Sequence, residues 1–207
     1  MTISYPLTMP TVTGIATIEM RSINAVAYGR SPFTFSGQVH AYAGQMWQAD
    51  VSLPPMHRGN AEVWLSWLVS LKGQLGTFKL GDPWGCMPRG SARDADTIFV
   101  DGAVSSGGLI GIDSVPANQT NYLMAGDYIQ IGAGLNQQLF KVLNNVSTDD
   151  FGTATVDVWP NVRSSITNAT SVKVQGTTGL FRLSSNEQSW SANQAIYGIT
   201  FGASEAL

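Results

Sequence analysis

Two histidines and one cysteine are the scarcest chemistry-bearing residues of this 207-residue chain. His40 lies in an alternating, strand-like stretch and His57 follows Pro54–Pro55 in a turn. No His-Glu-x-x-His, Gly-x-Ser-x-Gly, Walker or Rossmann glycine pattern accompanies them, so a hydrolase triad or a histidine metal site would have to be assembled across the fold. The plain reading is a polar strand residue and a polar loop residue. Asp94, Asp96 and Asp101 cluster as hard-cation ligands do, but they lack the central Gly and closing Glu of a calcium loop, and Arg93 offsets their charge. Solvated turn residues are the favoured reading. Glycosidase chemistry needs two opposed carboxylates, and the sequence pairs none. Cys86 sits between Gly85 and Met87. A single cysteine forms no internal disulfide and no Cys-rich zinc site, and no motif beyond the nearby Arg89 would activate its thiol. Asn118-Gln-Thr120, Asn145-Val-Ser147 and Asn168-Ala-Thr170 match the glycosylation acceptor pattern and, with no signal peptide ahead of them, read as turn residues. We therefore expect no catalytic residue, no metal, no cofactor and no enzymatic activity.

The aromatics are the remaining candidates for contact with something outside the chain. Trp64 and Trp67 fall on a helix, Trp47 in a strand, and Trp84 and Trp190 in or near turns. Trp159 precedes Pro160 at a strand end and Tyr128 begins another strand of the same segment. Either could contact a partner or stack on a sugar, although large aromatics usually bury their area when they can.

Strands dominate the elements that would position these residues. Trp47, Ala49, Val51 and Leu53 alternate with polar neighbours, the period-two pattern of a half-buried strand. Tyr197, Ile199 and Phe201 do the same near the C-terminus. Further strand runs cover 15–21, 23–28, 38–42, 77–80, 97–100, 128–131, 139–143, 153–159, 171–174 and 179–183, separated by Gly, Pro, Asn and Asp. One stretch breaks the rhythm. Ala61, Trp64, Leu68 and Leu71 share a helical face, Asn60 is a candidate N-cap, Glu62 falls in the first turn, Lys72 in the last, and Gly73 supplies a left-handed stop. This predicts one helix of about three turns. A shift towards Gly, Asn, Ser, Thr and Asp near residue 90 predicts a first domain made from residues 1–90 plus the C-terminal strands, 179–207. A small β-barrel, 91–178, is inserted into it.

Composition narrows the function. Hydrophobic residues make up 43% and charged residues 12%, with 22 Gly and 9 Pro, which suits short strands, tight turns and a surface short of charge. Such a surface is cheap to desolvate, as an oligomer interface must be. The net charge of −3 and the absence of any Lys/Arg run argue against a phosphate-gripping surface. No apolar stretch is long enough to span a membrane.

Several ordered segments resemble one family. Met46-Trp-Gln-Ala-Asp-Val-Ser-Leu-Pro-Pro-Met leads into the Glu/Trp-bearing helix. Gly76-Thr-Phe-Lys-Leu-Gly-Asp-Pro83 and Pro88-Arg-Gly follow. Later come Gly126-Asp-Tyr, Phe140-Lys-Val, Trp159-Pro, Gly179-Leu-Phe-Arg-Leu and Ser189-Trp. Together they are similar to distal-tail-like proteins of tailed bacteriophages. The resemblance implies an all-β fold, a β-sandwich or split-barrel ring domain with one short helix and an inserted small β-barrel. It implies a structural virion protein, assembled in the host cytoplasm as a hexameric ring at the tail tip. Tail tube protein, baseplate hub and tail fibre proteins would be its partners, and the genome would pass through a weakly acidic lumen without specific binding. The alternatives are a carbohydrate-binding module of a tail component, using Trp159 or Tyr128, or another tail tube, terminator or connector subunit. An envelope-acting hydrolase is the enzymatic rival.

Overall fold

In the computed structural model, which describes residues 3–193 and 195–206, the chain is all-β with one α-helix. It begins β1 (Thr17–Arg30), β2 (Gly37–Ser52), β3 (Met56–His57), α1 (Arg58–Ser70) and β4 (Phe78–Leu80). Then follow β5 (Phe99–Asp101), β6 (Gly107–Asp113), β7 (Tyr128–Ile131), β8 (Gln138–Val142), β9 (Ala154–Val162) and β10 (Val172–Lys173). The chain closes with β11 (Gly179–Leu183), β12 (Trp190–Asn193) and β13 (Ile196–Glu205).

Two sheets divide the strands by sequence. The first runs β1-β2-β13-β11-β4, with β12 and β3 also on β13, and so draws on both ends of the chain. The second runs β10-β7-β8-β9-β6-β5 and uses the middle alone. Its outer strands meet, because Val100 N–H donates to Thr170 O and Val172 N–H to Ile98 O, both at 2.9 Å. The second sheet thus curls into a nearly closed barrel, leaving few free edges.

Each sheet has its own core. Trp64, Trp67 and Leu68 of α1 pack on Phe78, Phe181 and Phe201 of the first sheet, with Trp67 and Phe78 edge to face at 5.1 Å. Ile110, Ile112, Ile129, Phe140, Val156 and Val158 fill the barrel. Strands β7 and β8 serve both cores. Ile129 and Phe140 point into the barrel, while Tyr128 and Leu139 point at the first core. Successive residues of a strand face opposite sides, so a strand buried on both faces joins two cores without a linker.

The helix differs from the expectation at both ends. It starts at Arg58, with the extended His57 as N-cap and no side-chain cap, so Asn60 lies inside the first turn. The pairing of β3 with β13 holds Met56–His57 extended until the helix starts, which fixes the start earlier than the capping signal did. At the other end, Leu71 is the C-cap, and Lys72 already takes a left-handed φ of 53° ahead of Gly73 at 67°. Trp190, expected in or near a turn, lies in β12.

Candidate assembly surface

The structure spreads the chemistry-bearing residues apart. His40 is exposed on β2 with its ring 4.6 Å from Tyr42, whereas His57 stands at the start of α1, towards the far end of the first sheet. Asp94 Oδ1 accepts the backbone N–H groups of Val174 and Gln175, and Asp96 Oδ2 those of Arg93 and the Tyr122 hydroxyl. Those carboxylates are used in fastening the barrel. Cys86 is exposed in the loop after β4. Among the described residues no group of three or more His, Cys, Asp and Glu has the arrangement of a metal site.

Tyr128 and Trp159 do come together, and with a third aromatic. Trp47 of β2 stands edge-on to Trp159 at 4.5 Å and tilted to Tyr128 at 6.0 Å. Tyr128 is buried, and the Lys141 ammonium lies 4.3 Å from its ring centre and 3.1 Å from its hydroxyl. The half-buried Trp159 donates its Nε1–H to Asn24 Oδ1 at 2.8 Å. A groove of about 300 Å³ stays open beside them, lined also by Met20, Ser22 and Leu143. This trio is chiefly a joint between barrel and first sheet.

A polar lock sits alongside. Arg163, just past β9, pairs with Glu205 of β13 through both guanidinium nitrogens at 2.5 Å, and both side chains are largely buried. Glu205 also accepts the Trp47 N–H, and Arg163 donates to Gln45 O. Burial pushes the Glu205 carboxyl above its usual range, while the hydrogen bond and charge of Arg163 pull the other way. Desolvating such a pair is costly, and removing one partner is costlier still because the other stays buried and charged.

The largest uncovered feature lies elsewhere. Strands β1 and β2 pair far beyond the first sheet, up to Arg30 opposite Gly37. Strand β13 ends at Glu205, level with Trp47, so residues 22–45 project as a two-stranded arm. Tyr28 pairs with Val39 and Val26 with Ala41, which puts Val26, Tyr28 and Val39 on one face. These side chains are exposed, as are Tyr42 on the other face and Phe33 and Phe35 at the tip; Phe33 is 92% exposed. The tip is nevertheless ordered by Ser31 N–H to Ser36 O and by the Arg30 guanidinium 4.6 Å from the Phe35 ring centre. Arg30 is the only formal charge in residues 22–45. A two-stranded hairpin alone is marginal in water, and a contiguous apolar patch of this kind marks a contact surface.

Sequence reading missed the arm by treating 23–28 and 38–42 as separate strands. The available signal was the turn between them, Ser31-Pro-Phe-Thr-Phe-Ser36, which carries two phenylalanines where turns are ordinarily polar. No family model matches the chain, and no curated protein matches it.

Proposed function

We propose that this chain is a structural subunit that assembles into a ring at the distal end of a bacteriophage tail, joining the tail tube to baseplate hub and fibres. The arm carries the reading: it is an apolar projection with a single formal charge, Arg30, and its exposed aromatic faces call for cover from outside the chain. The scattering of His, Cys and Asp residues agrees with a part that holds rather than reacts. The ordered segments similar to distal-tail-like proteins supply the place in the particle. In a ring the strand edges and apolar rims of neighbours satisfy each other. In this reading the barrel, fixed to the first sheet by the Trp47–Tyr128–Trp159 joint, projects towards fibres, and a weakly acidic lumen lets the genome pass without sticking. Electron microscopy of the purified chain tests the proposal. Six-fold rings with an axial hole are expected; a uniform field of single subunits would contradict it.

A further inference from the structure

The apolar arm has a counterpart at the opposite end of the first sheet. Strand β13 runs antiparallel to β2, with Ser204 opposite Gln48 and Thr200 opposite Ser52. Its first residues therefore run past Ser52, away from the arm, where β12 and β3 flank them. There Leu53, Pro55, Trp190 and Ile199 line a trough of about 510 Å³. Trp190 is 48% exposed and Ile196 39%, and all of β12 is open to solvent. Tip and trough are far apart. The 16 residues of β2, at about 3.3 Å each, span roughly 50 Å. The arm extends away from its own trough, so it meets one only on another molecule.

Resting on the assembly reading above, we propose that the arm tip of one copy, Phe33 and Phe35, docks into the β12–β13–β3 trough of the next copy, head to tail. Size and charge agree with a second copy of this chain as the occupant. A benzene ring is held by a cavity of about 150 Å³, so the trough takes both phenyl rings. Counting about 200 Å² for a fully exposed aromatic side chain, Phe33 and Phe35 at the tip and Tyr28 on one arm face present roughly 440 Å², about half of the ~800 Å² per partner of a stable interface. Val26 and Val39 add to that. The residues lining the trough carry no formal charge, which suits an arm whose one cation, Arg30, is already turned onto Phe35. Because the two surfaces differ and lie at opposite ends, each copy both gives and receives. This is the heterologous contact that closes rings or, with another rotation, builds filaments.

Mixing two variants tests the pairing. Phe33→Ser/Phe35→Ser spoils only the arm and Trp190→Ser only the trough; all three side chains are solvent-exposed, and circular dichroism checks that both variants fold. Light scattering should find wild type assembled and each variant alone weakened about thirtyfold or more, the effect of losing an interface hot spot. An equimolar mixture should form heterodimers and stop there, since one good arm meets one good trough. If wild type assembles but the arm variant assembles equally well, or the mixture stays monomeric, the docking is wrong while the ring reading stands. If wild type itself stays monomeric, or binds lipid vesicles without self-association, both are wrong.

Discussion

Strands β7 and β8 are buried on both faces, whereas residues 25–30 of β1 and 37–44 of β2 are exposed on both. Both regions are antiparallel ladders with their internal backbone hydrogen bonds made, so pairing alone does not separate them. Cover does. On one side of β7 and β8 lies the barrel core and on the other the aromatic core of the first sheet, so the pair is fastened by its own chain. The arm carries comparable apolar side chains, Tyr28, Phe33, Phe35 and Val39, and all four remain mostly exposed, Phe35 with the Arg30 guanidinium against its ring. A fold that buries its barrel this thoroughly yet leaves such an arm bare is divided between a part that holds its shape alone and a part that the proposed assembly would cover.

Truncating one phenylalanine in each region gives the largest contrast. Phe140→Ala, at a fully buried barrel position, should cost about 3–5 kcal/mol in urea unfolding. Phe33→Ala should stay within ~0.5 kcal/mol because its ring is already in water. Equal costs would erase the comparison. The joint comes next. Arg163→Met leaves the Glu205 carboxylate buried without its partner and should cost ~3–5 kcal/mol, most of it recovered by replacing both residues with Met.

A smaller effect is set by pH. Because burial raises Glu205 above its ordinary 4.5, the folded chain takes up that proton at a higher pH than the unfolded one. Its charge therefore costs stability above the folded pKa, and the cost is lifted as pH falls through that value towards the unfolded one. Urea midpoints of wild type and Glu205→Gln, compared downwards from pH 7, should move in favour of the wild type. A shift the other way would mean that the Arg163 pairing outweighs burial. The smallest perturbation is hydrogen exchange on dilute protein. Amides of residues 22–45 should exchange far faster than those of β7 and β8, and should slow when the protein is concentrated.

Much of this division was legible in the residues. Alternation placed Trp47–Leu53 and Tyr197–Phe201 as strands, and the composition shift near residue 90 falls between β4 of the first sheet and β5 of the second. Helical spacing found Trp64 and Leu68, although β3 pairing moved the N-cap from Asn60 to His57. The arm was not legible as an arm, since period-two patterning reports that a strand has an apolar face and not which molecule covers it. Tyr128 and Trp159 were singled out as contacts for something outside the chain, whereas in the structure they pack on Trp47 within it. That they meet each other through Trp47 depends on contacts between distant segments, which local sequence does not encode.

The central claim is that the chain is completed by copies of itself, and native mass measurement at rising concentration tests it most directly. A species at six times the 22.1 kDa chain mass is expected, and it should be lost in Phe33→Ser/Phe35→Ser. A chain that remains at its single-subunit mass throughout would contradict the account.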